Sequence, residues 1–291
     1  MHRLLYWIEA ARLNTLSASL TPVLIGASYA YHKQVFQVPV FIYCLAFALL
    51  CQIGSNFAND YLDYEKGADS SDRTGPARAV ASGKISAGAM RLATGLTLGL
   101  AFSLGLMLIP YGGYGLLIIG IASVFFAWAY TGGPYPLAYN GLGDLFVILF
   151  FGLIAVSMSF YLHGLIFDSL ILLNAFSCGL FINNLLVINN LRDCDADRAC
   201  GKRTSIVRLG RVFGRNCITT ACFLAALTAV INAITIQSSI ALIALIPPLL
   251  TWWSLKAIHT FSDPRLFYSA LKKTGLFILL YGICIGLGFM I

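Results

Sequence analysis

The sequence predicts an all-α, polytopic membrane protein with nine transmembrane helices in one bundle and two aspartate-rich loops on one face. Hydrophobic residues make up 59% of the 291 residues, charged residues make up only 11%, and the mean hydropathy is +0.82. An average soluble domain carries roughly 25% charged residues. The apolar residues also recur in runs close to the ~20 residues that a helix needs to cross a bilayer. These observations exclude a soluble globular domain.

The chain begins with a short amphipathic segment, residues 1–13, in which Tyr6 and Trp7 indicate an interfacial helix. Glu9 and Arg12 interrupt its apolar run, so the segment is a poor signal peptide. The predicted spans cover about 14–31, 39–58, 90–109, 114–131, 142–162, 169–190, 216–236, 239–257 and 274–291. We expect them to form a single transmembrane domain that covers residues 1–291.

Lysine and arginine are distributed unevenly between the two faces of the predicted bundle. If the N-terminus is cytoplasmic, eighteen of the nineteen Lys and Arg residues lie in cytoplasmic segments, and Lys33 lies on the opposite face. This asymmetry is the positive-inside pattern of membrane proteins. It accounts for the net charge of +7, so we expect no nucleic-acid partner. The two long loops, about 56–90 and 187–215, then face the cytoplasm.

The first long loop concentrates carboxylates in a chain that has few of them. From Asn56 to Arg78 it reads NFANDYLDYEKGADSSDRTGPAR. If the preceding helix continues past Asn59, one helical face carries Asn56, Asn59, Asp60 and Asp63. Their oxygens are the hard ligands that Mg²⁺ prefers, usually shared with phosphates. A solvated acidic loop explains this stretch equally well when it is taken alone.

The second long loop repeats the arrangement. From Val187 to Arg211 it reads VINNLRDCDADRACGKRTSIVRLGR, and a continuing helix would align Asn189, Asn190, Asp193 and Asp197. Asp195 points elsewhere, either as a supporting group or as a solvated residue. Together the two stripes predict two Mg²⁺ ions that bridge a diphosphate, with Lys and Arg on its remaining oxygens. The alternative is that neighbouring cations simply pair with the carboxylates.

These motifs resemble the paired aspartate motifs of the UbiA-type intramembrane aromatic prenyltransferases. The resemblance covers nearly the whole chain and also includes RLNTL, SNFANDY, RTGPAR, YTGGPYPLAYNGLGD and the VRLG tail. Within the family it is strongest to the branch that prenylates 1,4-dihydroxy-2-naphthoate. Gly67 stands where the broader family's NDxxDxxxD motif has its third aspartate, and Asp69 follows two residues later. This form is typical of the naphthoate branch and argues against a 4-hydroxybenzoate enzyme, while the role of Asp69 stays open.

The resemblance implies a role for each matching residue. Mg²⁺ ligation is implied for Asn59, Asp60, Asp63, Asp193 and Asp197, of which Asp63, Asp193 and Asp197 would be essential for catalysis. Diphosphate contacts are implied for Arg12, Lys66, Arg78, Arg192 and Lys202. Tyr130 would face the reacting carbon and stabilise allylic cation character, unless it is simply an interfacial tyrosine.

The activity that the resemblance implies is transfer of a polyprenyl chain from polyprenyl diphosphate to 1,4-dihydroxy-2-naphthoate, with decarboxylation. The product would be demethylmenaquinol, made for menaquinone biosynthesis in a bacterial inner membrane. One alternative is another acceptor, such as 4-hydroxybenzoate, homogentisate or haem. Another is a cation transporter, although a transporter predicts acidic residues at mid-span rather than at span ends. Prenyl chain length and oligomeric state stay open.

Overall fold

The computed structural model describes residues 2–67, 78–256 and 264–291, and in these ranges every regular element is helical. The prediction of an all-α fold is therefore confirmed for the described chain. Asp69 and Asp72 of the first loop lie outside the described residues. The α-helices are α1 His2–Ala11, α2 Ser17–His32, α3 Val38–Glu65, α4 Ala87–Leu106, α5 Ile109–Gly112, α6 Leu116–Ala129, α7 Gly143–Val147, α8 Ala155–Gly164, α9 Ser169–Ala199, α10 Ser205–Thr235, α11 Ile246–Leu255 and α12 Pro264–Met290.

Short helical segments of other types connect several of these helices. A π-helix joins α7 to α8, and 3₁₀ turns precede α2, α7 and α11. Gly210, with φ 87° and ψ 166°, interrupts α10 near its start. The bounds of the connecting segments are Leu13–Thr15, Leu137–Tyr139 and Ser239–Leu245 for the 3₁₀ turns and Ile148–Ile154 for the π-helix.

Six helical segments of the described chain are long and apolar enough to cross a membrane. They are Val38–Glu65, Ala87–Leu106, Gly143–Gly164, Ser169–Ala199, Ser205–Thr235 and Leu266–Met290. The other three predicted spans fall on shorter helical segments, namely α2, α6 and Ser239–Leu255. Thus six of the predicted spans meet the length that a full crossing requires, and three are shorter than predicted.

Local side chains set where three of the helices begin. Ser86 accepts a hydrogen bond from the Ala89 amide at 3.2 Å before α4, and Asp168 accepts one from Leu170 at 2.7 Å before α9. Thr204 accepts from Val207 at 3.3 Å before α10. Each satisfies an amide that the first helical turn leaves without a partner.

Helix α9 occupies the centre of the bundle and approaches its neighbours closely. A Cβ added to Gly152 of the π-helix would lie 2.5 Å from the carbonyl oxygen of Ala175 on α9, so only glycine permits this contact. On its other side, Asn174 of α9 and Asn232 of α10 exchange amide hydrogen bonds of 2.8 and 2.9 Å. Both amides are buried, and this exchange satisfies them in an apolar interior.

Two helices continue well beyond their apolar portions. Helix α3 runs on to Glu65 and α9 runs on to Ala199, so each carries its whole asparagine and aspartate stripe in helical geometry. The condition that the sequence analysis set for both stripes is therefore met. The polar ends of these two helices position the site described next.

A candidate active site at the polar end of an apolar cavity

The bundle encloses a cavity of about 1000 Å³. Both aspartate stripes contribute to its polar end, and its other end lies among Val23, Cys44, Leu108 and Leu162. Helix α3 lines the cavity from Cys44 to Asp63, which at 1.5 Å per residue is a length of about 28 Å. The cavity therefore joins a polar mouth to a long apolar interior.

Lys202 brings the two aspartate stripes together. Its ammonium lies 3.7 Å from Asp63 Oδ1 and 4.0 Å from Asp197 Oδ1. Both aspartates are buried. The backbone amide of Lys202 also donates to the Asp197 carbonyl oxygen at 2.8 Å, which fixes the lysine at the end of α9. Two carboxylates from distant parts of the sequence thus face one cation.

Tyr139 organises the cations beside Asp63. Its hydroxyl donates to Asp63 Oδ1 at 2.8 Å, and its ring lies 4.5 Å from the Lys202 ammonium and 4.7 Å from that of Lys66. Both ammonium groups are close enough for cation–π attraction. Tyr139 is not among the site residues predicted from sequence, although it lies in the segment YTGGPYPLAYNGLGD that carried part of the resemblance.

Lys66 lies beside the cavity lining and is exposed to solvent. Its ammonium donates to the carbonyl oxygen of Thr131, and the hydroxyl of Thr131 donates to Asn59 Oδ1. Partial desolvation of the ammonium lowers the pKa of Lys66; Asp63 opposes this shift and the nearby Lys202 adds to it. Within the described chain Lys66 does not line the cavity, whereas the other predicted diphosphate contacts do: Arg12, Arg78, Arg192 and Lys202.

Arg78 and Arg192 each contact one of the predicted metal ligands. Arg78 Nη2 lies 3.3 Å from Asp63 Oδ2. Arg192 donates from Nε and Nη2 to the two oxygens of Asp193, both at 2.7 Å, and its side chain is only 3% exposed. Asp193 is therefore paired with the neighbouring Arg192, as in the alternative in which cations simply pair with the carboxylates.

The residues of the first stripe fall into two groups. Asp60 accepts the amides of Ala79 at 3.2 Å and Val80 at 2.9 Å. Asn56 donates to the Ala11 carbonyl oxygen at 2.8 Å. All four residues of the stripe line the cavity, as does Asp197. The side chains of Asn56 and Asp60 also hold neighbouring segments against α3, whereas Asp63 faces the Lys202 ammonium.

Other predicted residues lie beside the cavity or away from it. Arg12 lines the cavity from a left-handed backbone conformation with φ 52° and ψ 65°. Tyr130 also lines it and is adjacent to Gly143, where an added Cβ would lie 3.0 Å from the tyrosine hydroxyl. Asp195 has a side chain that is 78% exposed and pairs with Arg211 at 2.8 Å, which fits the solvated alternative.

The side chains around the mouth include candidate metal ligands. In the described ranges no group of three or more His, Cys, Asp or Glu side chains converges to hold a metal ion. Asp63 and Asp197 nevertheless face a common cation, and the amide side chains of Asn59, Asn189 and Asn190 line the same mouth. These are hard oxygen donors of the type that suits Mg²⁺ shared with a phosphate ligand.

Fold and site together define a class: an integral membrane protein of α-helices with two aspartate motifs at the mouth of an apolar cavity. The profile described as the UbiA prenyltransferase family matches residues 19–280, and the chain belongs to this family. The match includes both aspartate stripes and the segment that contains Tyr139.

Curated relatives and solved structures agree with this membership. The chain is 36% identical to a 1,4-dihydroxy-2-naphthoate octaprenyltransferase of Haemophilus influenzae over 99% of this chain and 97% of the relative. It is 39% identical to the protein of the same name from Escherichia coli, over 72% of this chain and 70% of that relative.

Solved structures give the same overall fold. A UbiA homolog from Aeropyrum pernix K1 has a TM-score of 0.68 at 15% identity over 95% of this chain and 97% of that one. A UbiA homolog from Archaeoglobus fulgidus bound to DMAPP and Mg²⁺ has a TM-score of 0.65 at 12% identity, over 96% of this chain and 98% of that one. The two structures show the fold.

Proposed function

We propose that the protein transfers a polyprenyl group from polyprenyl diphosphate to 1,4-dihydroxy-2-naphthoate with loss of CO₂, giving demethylmenaquinol for menaquinone biosynthesis. The observation that carries this proposal is a cavity that joins a mouth of cations and carboxylates to a long apolar interior. A prenyl diphosphate has the same division into a charged head and an apolar chain. The names of the relatives from Haemophilus influenzae and Escherichia coli support the acceptor.

The reaction needs no protein nucleophile. The C1–O bond of the prenyl diphosphate breaks, and its electron pair leaves with the diphosphate. The electron-rich ring carbon that carries the carboxylate bonds to C1. The bond between this carbon and the carboxylate then breaks and releases CO₂. The electrons of that bond restore the aromatic ring. The protein has to hold the two substrates in register, neutralise the departing diphosphate and exclude water.

We assign Mg²⁺ to the mouth of the cavity, as two ions. Asp63 and Asp197 would be the principal ligands, because both are buried and already face a cation. Asn59 would add an amide oxygen, and Asp193 would join when Arg192 turns to the diphosphate. Bound Mg²⁺ supplies charge neutralisation that makes the diphosphate a better leaving group. The Archaeoglobus fulgidus homolog bound to DMAPP and Mg²⁺ supports this assignment.

The remaining predicted residues receive distinct proposed roles. Lys202, Arg78 and Arg12 would contact the diphosphate from the cavity wall. Lys66 would act from behind Tyr139, through its positive charge. Asp60 would hold the loop after Arg78 through the Ala79 and Val80 amides rather than ligate the metal.

Aromatic side chains beside the mouth suit an allylic carbon with cationic character. Phe126, Phe146 and Phe150 line the cavity together with Tyr130, and the centroids of the three phenylalanine rings lie 4.8 to 5.8 Å apart. Ring faces attract positive charge. We therefore propose that C1 of the donor lies beside Tyr130 and that the first isoprene units follow the phenylalanine rings.

The proposed topology has nine spans in a single domain that covers residues 1–291. The three shorter helical segments, α2, α6 and Ser239–Leu255, would complete the six longer ones, and both aspartate motifs would face the cytoplasm across a bacterial inner membrane. The distribution of lysine and arginine supports this orientation.

The test is to identify the product made by the purified protein in lipid nanodiscs. With 1,4-dihydroxy-2-naphthoate, a polyprenyl diphosphate and Mg²⁺, mass spectrometry should detect the decarboxylated prenyl naphthoquinol, and removal of Mg²⁺ with a chelator should abolish its formation. Parallel reactions with 4-hydroxybenzoate, homogentisate and haem should give no prenylated product. Prenylation of one of these in place of the naphthoate would overturn the proposed acceptor.

A further inference from the structure

One face of α12 lines the mouth of the cavity and lies outside both aspartate motifs. Tyr268, Leu271 and Lys272 line the cavity, at helical spacings of three and four residues that put them on one face. This face meets α9 at one end, where the Arg192 guanidinium lies 5.4 Å from the centroid of the Tyr268 ring. The contact with Arg192 fixes this end of the face against α9.

The other end of the face packs against the start of the chain. A Cβ added to Gly275 would lie 2.7 Å from the carbonyl oxygen of Asn14, so the helix and the turn Leu13–Thr15 are in close contact there. Lys272 lies one turn before Gly275 and one turn after Tyr268. It is therefore held at the cavity mouth between α9 and the N-terminal turn.

The charge of Lys272 differs from the charges of other cations around the cavity. Among the described residues, no ion pair within 4.0 Å includes Lys272, and its side chain is exposed. Several other cations that line the cavity are already paired with carboxylates: Lys84 with Glu9, Arg78 with Asp63, Arg192 with Asp193 and Lys202 with Asp63 and Asp197. Lys272 thus offers an ammonium that can accept a new anion without breaking one of these pairs.

The proposed reaction brings two anions into one cavity. The diphosphate of the donor and the carboxylate of the acceptor repel each other, so each requires its own cation. The cations around Asp63 and Asp197 suit the diphosphate. The α12 face suits the acceptor, because the ring of Tyr268 can contact an aromatic ring while Lys272, four residues later, contacts the carboxylate.

The strength of the contact also matters for the chemistry. The acceptor carboxylate leaves as CO₂, and a tight buried ion pair would stabilise the carboxylate in the ground state and slow its loss. An exposed ammonium makes only a weak ion pair. It can select an acid and still release the carboxylate during the reaction.

We propose that Lys272 binds the carboxylate of the aromatic acid acceptor, beside Tyr268, and that this face of α12 sets the preference for an acid over the corresponding diol. The inference rests on the proposed function, since it assumes a carboxylated acceptor. It assigns a specificity-determining contact to a residue that the sequence analysis counted only among the cytoplasmic charges.

The experiment compares variants at adjacent positions of α12. Lys272→Ala, Lys272→Glu and Lys272→Arg are measured against Lys273→Ala, whose exposed side chain does not line the cavity in the described chain. Each purified variant in nanodiscs is assayed with 1,4-dihydroxy-2-naphthoate and with 1,4-naphthalenediol, which lacks the carboxylate. KM and kcat are determined for both acceptors and for the prenyl diphosphate.

The expected result is a selective change in acceptor KM. Lys272→Ala should raise KM for the naphthoate about two- to fivefold with little change in kcat, the range of an exposed ion pair. Lys272→Glu should raise it further, by about tenfold or more, and Lys272→Arg should restore it. The preference for the acid over the diol should fall by the same factors, while Lys273→Ala should keep the preference of the unmodified protein.

Two outcomes would overturn the inference. One is an acid-to-diol preference in Lys272→Glu that equals that of Lys273→Ala. The other is a rise in KM for the prenyl diphosphate instead of the acceptor, which would assign Lys272 to the donor. Failure of the proposed function looks different, because the unmodified protein would then form no product from the naphthoate.

Discussion

Asp63→Asn tests the centre of the candidate site. Asp63 is 5% exposed and contacts Tyr139 at 2.8 Å, Arg78 at 3.3 Å and Lys202 at 3.7 Å. Asparagine keeps the size of the side chain and an oxygen for the tyrosine hydroxyl, but it removes the charge that faces the arginine and the lysine. Truncating one partner of a buried charge pair costs about 2–5 kcal/mol. If the transition state loses that much stabilisation, the rate falls roughly thirty- to several-thousand-fold, at tenfold for each 1.4 kcal/mol.

The assay measures initial rates of prenyl transfer in nanodiscs across a series of Mg²⁺ concentrations. Loss of a ligand should lower the maximal rate and also move the Mg²⁺ midpoint to higher concentration. Asp195→Asn is the matched control, because this aspartate is 78% exposed and pairs with Arg211 away from the cavity. Thermal unfolding of both variants in detergent verifies that each is folded. A rate for Asp63→Asn within threefold of the control, with the same Mg²⁺ midpoint, would refute the metal assignment.

Gly152→Ala should lower the free energy of unfolding by about 1–3 kcal/mol, because the new Cβ would lie 2.5 Å from a carbonyl oxygen of α9. The measurement is the unfolding temperature in detergent, which should fall. Gly95→Ala, with nothing within 4 Å of its Cβ, should not lower it, and equal unfolding temperatures would contradict the close packing. Asp60→Asn should speed amide hydrogen exchange at residues 79–80 roughly tenfold, since one carboxylate oxygen that accepts a backbone amide is lost; unchanged exchange would exclude the anchoring role. A membrane-impermeant maleimide should label the exposed Cys200 in inside-out vesicles and not in sealed right-side-out ones, while Lys33→Cys should label in the opposite sense. Labelling of Cys200 from both sides would contradict the proposed orientation.

Helical geometry is the part of the site that could be predicted from sequence. The spacing of Asn59 and Asp63, and of Asn189 and Asp193, places each pair on one face once the helix continues, because the relation between neighbouring turns is local. The structure meets that condition in α3 and α9. The recurrence of the stripe at the end of a second span predicted that the two faces belong to one site, and the resemblance implied the same, although spacing alone does not require it.

Tertiary contacts decided what spacing left open. Asp60 and Asp63 lie one turn apart on the same stripe and both line the cavity, yet Asp60 accepts two amides from the following loop while Asp63 contacts Tyr139 and Lys202. Nothing in their helical positions distinguishes them, because the loop reaches Asp60 only in the folded chain. Tyr139 was missed for a related reason: it lies in a 3₁₀ turn with no periodicity, and its partners Asp63, Lys66 and Lys202 are distant in sequence.

Span lengths were predicted less well than span positions. The predicted spans were regular α-helices near the bilayer length, whereas α2 has only 16 residues. The segment before α11 is a 3₁₀ turn, and α7 and α8 are joined by a π-helix. Hydropathy records where apolar residues occur, but not the local helix type, which depends on packing against neighbours such as Gly179.

The length of the cavity has a consequence for how the protein's kinetics must be expressed. A donor that extends along the roughly 28 Å from Asp63 at the mouth to Cys44 in the interior arrives from the lipid phase. Its effective concentration is then a mole fraction in the membrane, while the acceptor is counted per volume of water. Adding inert lipid at a fixed amount of donor should lower the rate by surface dilution, although every bulk concentration in the tube except that of lipid stays the same.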